Sequence, residues 1–422
     1  MRHLTLYATL LSAVFLLTAC STDYYDEEAY EEALRHQQRI DHIDASHDWC
    51  LTASYSVHVD AGSVAVGTRR VEIWTANPVS GSGAVVLASQ ELSDGDVADV
   101  PFVAPLSLTT FYAALLDADG RYTIDRFTAD RPAVDFSSPL STRVAVRDNL
   151  LGSQVFTYCF EDDYPLSEDY DYNDVVLRIS REQVSDRQLL LNVTLAAVGT
   201  TDNVAAAMRL VGCNYDDIES VATENDETFN DGYTLAATSM ISSDKLLLKG
   251  LKGEAVVNLF HDAYWAMGNG AVSETGMIDR ILHNVTKTTS YTADLAEPRT
   301  ITYIVTFRSP EKLKTLMLDR LDPFIIVNYN SVYFELHAVY ECRGDQVLNK
   351  YELNKNVQAL PWGFVIPEGA FRYPVEGQRL GSYTNGAAFG AYMREKHSFG
   401  EWASDHTKAL DWYRYPTNSM VF

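Results

Sequence analysis

From Glu161 to Asp174 the chain carries seven carboxylates (Glu161, Asp162, Asp163, Glu168, Asp169, Asp171 and Asp174) and no Lys or Arg. The densest part reads EDYDYNDVV, residues 168–176. Oxygen-bearing side chains at Asp169, Asp171 and Asn173 fall at every second position, a spacing that lets them converge on one point in a loop or extended segment. Hard oxygen donors in that number suit Ca²⁺, which takes roughly six to eight of them, whereas Mg²⁺ keeps more of its waters. Left unneutralised, so many like charges repel and raise one another's pKa. A bound divalent ion removes that conflict, and its binding free energy adds to folding. The candidate ligands are Glu161, Asp162, Asp169, Asp171, Asn173 and Asp174. An EF-hand also opens D-x-D-x-N, but its obligatory Gly position is Asp174 here and its bidentate Glu position is Ser180. A bidentate ligand must therefore come from elsewhere, with Glu161 and Asp162 nearest. The competing explanation is a solvated acidic turn, which is common in acidic chains.

Other residue types suggest less. Two carboxylates flanking a sugar bond would make a glycosidase, but crowding into one segment suits a metal better than an acid/base pair. Glu335 and His337 share a strand face, an arrangement usually explained by packing or a surface ion pair. No HExxH, GxSxG or Walker loop is present. The stretch FHDAYWAMGNG, residues 260–270, groups His261, Asp262, Tyr264 and Trp265. It fits either an aromatic ligand platform or, more simply, a strand end with a glycine turn.

The elements that must position these residues are strands. Val155, Thr157 and Cys159 lead into the acidic stretch, a Tyr164-Pro165 turn interrupts it, and Val175 to Ile179 leads out. Tyr170 and Tyr172 point away from the acids and pack beneath them. Upstream, alternation puts Val57 and Val59, then Val71 and Ile73, on one strand face. FYAALLDADGRYTIDRF reads as a hairpin turning at Asp119-Gly120. Further strands are predicted in SQVFTYCFE, DVVLRISREQ, QLLLNVTLAAVG, RTITYIVTF and SVYFELHAVYE. After an irregular, Pro-rich and aromatic segment, Phe389, Tyr392, Phe399 and Trp402 fall at near-helical spacing and predict a helix docked on the sheet. The expected fold class is mainly β: two antiparallel β-sandwich or jelly-roll-like domains, the second with a helix and an irregular C-terminal segment packed on it. The expected boundaries are 1–20 signal peptide, 21–47 acidic tether and short helix, 48–140 N-terminal sandwich, with a linker at 135–142, and 150–422 second β domain.

The N-terminus supplies an address. A short apolar run, Leu4 to Leu17, is signal-like and too short to span a membrane. It ends in Leu17-Thr18-Ala19-Cys20, which looks like a lipobox whose Cys20 is lipidated, giving a stable membrane anchor. The acidic run from Asp23 to Glu32 reads as an extended tether and resembles tracts that send some outer-membrane lipoproteins to the cell surface. The formal net charge of −25 argues against nucleic acid and against anionic membrane surfaces as partners. Apart from Cys20, the four cysteines Cys50, Cys159, Cys213 and Cys342 allow two disulfides in an exported chain.

FEDDYPLSEDYDYNDVV resembles the F-E-D…D-Y-D-Y-N-D-hydrophobic signature of the LruC-type domain of bacterial surface lipoproteins. LDPFIIV (321–327), FELHAVYE (334–341), PWGFVIPEGAFRYPVEGQ and DWY (411–413) are similar to later family pieces, including Y-P-x-E, in the right order. SHDWCLTASYSVHV is similar to the start of the region that often precedes this domain. Asp322 stands where the family usually has Asn, and AVYECRGDQ replaces its L-P-G-x-x-P-T tail. The resemblance covers roughly residues 150–422. It implies a lipid-anchored, calcium-type β domain at the cell envelope and no known reaction. The expected function is therefore a non-enzymatic, Ca²⁺-stabilised envelope or surface lipoprotein that binds a glycan, matrix or envelope partner. The alternatives are a structural subunit of an envelope or fimbria-like assembly and, behind it, a glycan-active hydrolase.

Overall fold

The protein is mainly β in a computed structural model. It describes residues 43–422 apart from 45, 63–68, 81–82, 94, 118–119, 138–141, 146–151, 165–168, 269, 273–276, 287–292, 339–346, 349–359, 382–386 and 391–396. The signal segment, Cys20, the acidic run after it, Glu168, Cys342 and Tyr392 lie outside the described residues.

The N-terminal half of the strand order forms two sheets. Sheet I joins Val97–Pro105, Thr52–Asp60 and Ala133–Asp135; sheet II joins Thr142–Ala145, Arg121–Thr128, Thr110–Leu116, Arg69–Trp74, Val85–Leu92 and Gly152–Ser153. Alternation sends Val57 and Val59 inward and leaves His58 outside, and Val71 and Ile73 meet them in the same core. Phe102 and Phe111 cross edge-to-face there, with ring centroids 5.1 Å apart. The hairpin Thr110–Leu116/Arg121–Thr128 forms in antiparallel register. Strands Thr142–Ala145 and Gly152–Ser153 carry sheet II past residue 140.

Two larger sheets follow. Sheet III has the order Ile218–Thr223, Arg299–Phe307, Gln188–Val198, Val175–Gln183, Val155–Phe160 and Gly363–Ile366, with the short strands Leu282–His283 and Ala293–Asp294 at its side. Sheet IV has the order Leu247–Lys249, Glu254–Phe260, Ala205–Asn214, Leu321–Tyr329, Val332–His337 and Val347–Leu348. One buried cluster draws on both, with Leu189, Leu191, Val193 and Leu195 from one sheet and Met208, Leu210, Val257 and Leu259 from the other. The strand Leu321–Tyr329 is buried on both faces from Leu321 to Val327, because Ile241 and Val256 cover the side bearing Phe324 and Ile326. Asp322 lies on this strand and bonds two partners: the Arg209 guanidinium through Nη2 at 2.5 Å and the His337 ring through Nδ1 at 2.9 Å. Arg209 also lies 3.5 Å from Glu254, so its buried guanidinium faces two carboxylates.

The predicted helix is shorter than its spacing suggested. Among the described residues of this stretch Phe399–Ser404 is helical, started by Ser398 Oγ, which accepts from the Glu401 N–H at 3.1 Å. Phe389 instead sits in irregular chain, stacked on Phe371 with centroids 5.4 Å apart; aromatic spacing reported burial here, and burial does not require a helix. Trp402, Trp412, Phe364 and Phe399 pack with Trp49 from the other end of the chain. Cys159 and Cys213 are buried, unpaired thiols, which rules out the two-bridge arrangement.

The segment 43–51 is held against the C-terminal helix through His47. Its Nε2 lies 3.0 Å from the Trp402 carbonyl, and its Nδ1 accepts from the Trp49 N–H at 2.9 Å. Only the neutral imidazole satisfies both, donating at Nε2 and accepting at Nδ1. Burial pushes the His47 pKa down to about 4, against the opposing bond to Trp402. Between that value and the ordinary histidine range of about 6.5 the unfolded chain binds more protons, so this contribution is full above the upper limit and fades as pH falls. The urea midpoint of wild type should accordingly fall more between pH 7 and pH 5 than that of His47→Gln; equal slopes would refute the tautomer assignment.

Candidate metal centre

The acidic segment joins two antiparallel neighbours in the middle of sheet III. Phe160 pairs with Val175, so Glu161 and Asp174 start side by side at the strand ends. The Glu161 N–H continues the ladder to Trp362 O at 2.9 Å, and Asp174 O accepts from the Gly199 N–H at 3.0 Å. Between these anchors Tyr170 and Tyr172 both adopt φ 57°. Bulky residues rarely take this left-handed conformation, which costs about 1–3 kcal/mol each and survives only where surroundings impose it. Here both rings are buried, and the Tyr172 hydroxyl donates to Pro361 O at 3.0 Å. With the tyrosines packed beneath, Asp171 between them is directed to Gly377 and Asn173 instead.

Carboxylate oxygens of Glu161, Asp163 and Asp169 lie within 4.8 Å of one another, as do those of Asp169, Asp171 and Glu376. Asp169 belongs to both groups. Oxygens this close fit around one cation whose bonds are about 2.3–2.6 Å long. Asp171 is fixed by hydrogen bonds to both its oxygens, from the Asn173 N–H at 3.1 Å and the Gly377 N–H at 2.7 Å. Glu161 accepts from the Tyr172 N–H.

The other predicted ligands have different neighbours. Asp174 accepts from the Asp162 N–H at 2.7 Å, and Asp162 accepts from the Thr200 hydroxyl. The Asn173 amide donates to Pro374 O at 3.2 Å and is fully buried. A Cβ at position 199 would fall on the Asn173 side-chain oxygen, so only glycine fits there. The structure thus brings Glu161, Asp169 and Asp171 to ligand distance and adds Asp163 and Glu376. Glu376 is far away in the chain, and its sole trace in the sequence is the Y-P-x-E piece of the family resemblance.

The electrostatics are those of crowded, buried anions. Burial, then the charges of Glu161, Asp169 and Glu376, holds Asp171 well above the usual carboxylate range. Burial, then Asp162, Glu161 and Asp171, does the same to Asp174. Burial pushes Asp162 up to about 7, partly opposed by the Thr200 bond, and burial with Asp169 and Asp163 pushes Glu376 up to about 7. The arrangement can trap a hard cation or a proton. His337, which shares a strand face with Glu335, is held in packing: its Nδ1 bonds Asp322, its Nε2 lies 3.5 Å from Glu335, and its ring stacks on Phe324 at 4.7 Å.

Residues 187–413 match the family model of a domain of unknown function, DUF4842. The match begins after the acidic loop. A crystal structure described as a "Putative lipoprotein from Bacteroides ovatus" is similar at 15% identity, covering 83% of this chain and 98% of that one, with a TM-score of 0.49. No curated protein matches the chain.

Removing one charge from the cluster should have opposite effects with and without metal. In chelator at pH 8, Glu376→Gln should stabilise the fold by about 1–2 kcal/mol, the pKa displacement discounted for partial solvent screening. In millimolar Ca²⁺ the same variant should be less stable than wild type. Urea titrations in both buffers decide it; a destabilisation in chelator would show that the carboxylates do not strain one another.

Proposed function

The chain belongs to the DUF4842 domain family, and from that premise we propose that it is a non-enzymatic, Ca²⁺-stabilised envelope protein that binds a glycan, matrix or envelope partner. The observation that carries the calcium assignment is the burial of adjoining carboxylates at the end of two central strands, with Asp171 only 1% exposed. A buried anion is costly unless paired or bound to metal, and oxygen-only donors in this number favour Ca²⁺ over Mg²⁺ and over softer metals. The LruC-type resemblance, whose signature coincides with this loop, supports the same assignment.

Attachment is assigned to Cys20. The lipobox-like Leu17-Thr18-Ala19-Cys20 supports lipidation and an outer-membrane location, and the acidic tract after it supports display at the cell surface. The strongly acidic chain favours binding of neutral or cationic partners.

Thermal unfolding with Ca²⁺, Mg²⁺ or excess chelator tests the metal assignment. Ca²⁺ at about a hundred times its Kd should add about 2.7 kcal/mol, a rise of roughly 5–10 °C. Mg²⁺ should do much less, and Asp171→Ala with Asn173→Ala should abolish the response. A midpoint indifferent to chelator in metal-replete wild type would eliminate a structural ion. Anchoring is tested separately: Cys20→Ala should move the protein from the membrane fraction to the soluble fraction, and retention in the membrane would refute lipidation at that residue.

A further inference from the structure

The chain has six tryptophans. Trp49, Trp74, Trp362, Trp402 and Trp412 are at most 4% exposed and belong to the cores. Trp265 is the exception: it is half-buried, on the short helix Ala263–Met267. It is also held rigidly. Asp262 caps the helix by accepting from the Trp265 N–H at 2.9 Å, and the indole N–H donates to Asp231 O at 3.1 Å.

Tyr233 stands against it with ring centroids 5.6 Å apart at 81°. The Tyr233 ring is backed by His261, stacked at 5.3 Å and 14°, and His261 is located by its N–H bond to Asn230 Oδ1 at 2.8 Å. The two rings therefore form a fixed right-angled corner. Positions 232 and 270 beside it are glycines at φ 73° and 79°; a Cβ at either would lie 3.6 or 3.1 Å from the six-membered ring of Trp265. No side chain from these two positions covers that edge of the indole.

The charges around the corner are negative at the surface. The side chains of Asp231 and Asp244 are 48% and 74% exposed. Arg299, 3.6 Å from Asp231, is mostly buried and donates to the carbonyls of Thr228 and Ala266. A fixed, half-buried indole beside exposed carboxylates matches a sugar: the ring covers the C–H face of a pyranose, while Asp231, which already accepts from the Thr228 N–H and hydroxyl, and Asp244, 3.6 Å from His261, offer their remaining lone pairs to its hydroxyls. Exposed carboxylates disfavour anionic polymers. Residues 227–246 contribute no strand, and the edge strand of sheet IV, Leu247–Lys249, begins only after them.

We propose that the Trp265–Tyr233 corner is a carbohydrate subsite that stacks one uncharged pyranose ring of a glycan. This rests on the assignment of the chain as a binding protein of the envelope, and it supplies the ligand class and the place.

The test uses the detergent-solubilised full chain with Ca²⁺ present. Its probes are soluble β-glucan, xylan, mannan and galactan, with alginate as the anionic control, in affinity electrophoresis and in acrylamide quenching of tryptophan fluorescence. At least one neutral polysaccharide should retard the protein and shield its quenchable tryptophan. Trp265→Ala and Tyr233→Ala should each weaken that binding tenfold or more while keeping the calcium-dependent thermal shift, and Trp265→Phe should retain part of it. Retardation by none of the neutral polymers, undiminished binding in Trp265→Ala, or preference for alginate or for hydrophobic peptides would each overturn the proposal. The calcium response separates the two assignments. If it is present without neutral-glycan binding, only the subsite fails; if it is absent while Trp265-dependent binding persists, only the metal centre fails.

Discussion

Burial of like charge at one end of sheet III is the constraint on which the surrounding structure depends. Glu161, Asp162 and Asp171 are each at most 5% exposed, and taking an ion out of water costs several kcal/mol even after relaxation. Against a total stability of about 5–15 kcal/mol, a few such groups left uncompensated would unfold the chain. The cost must be offset by protons, by hydrogen bonds or by a cation. The hydrogen bonds come from distant places: Gly377 to Asp171, Asn173 to Pro374, Leu380 to Tyr170 and Thr200 to Asp162. The loop that carries the charge thereby helps tie residues 374–380 to the sheet, alongside the Glu376 N–H bond to Val285 O at 2.8 Å.

The C-terminal segment has little regular structure of its own, and its order follows from packing. Phe371, Phe389, Trp402 and Trp412 fill the space against Phe364 and Phe399. Residues 47–51 enter the same cluster through Trp49 and Leu51, while the strand that follows, Thr52–Asp60, belongs to sheet I. Ser54 bonds Asp319 at 2.6 Å, and Val103 of sheet I lies in the larger core. Residues 46–51 are thus held against the C-terminal helix before the chain enters sheet I.

A short chain of hydrogen bonds joins the acidic loop to the aromatic corner. Thr200 donates its hydroxyl to Asp162, and its carbonyl accepts from the Tyr264 hydroxyl; the next residue is Trp265. The same arrangement leaves chemistry at the two places distinct, with oxygen donors at one and ring faces at the other.

Much of the architecture was legible from local chemistry. Period-two alternation determined which faces of Thr52–Asp60, Gln188–Val198 and Arg299–Phe307 are buried, because pleating sends neighbours to opposite sides. The crowding of carboxylates in residues 161–174, with no basic residue among them, marked a place where like charges repel whatever its geometry. Spacing misled at Phe389 to Trp402, since aromatic burial without hydrogen-bond periodicity does not distinguish a helix from packed coil. Tertiary structure alone decided the membership of the acidic site. Glu376 reaches Asp169 and Asp171 because the chain returns across the sheet at Pro374 and Gly377, whereas Asp162, Asn173 and Asp174 turn to Thr200, Pro374 and the backbone. Likewise Tyr233 and Trp265 are 32 positions apart, and only the turn around Asn230 stands them at right angles. A sequence states which residues are charged or aromatic; convergence on one point depends on long-range pairing, which no local spacing encodes.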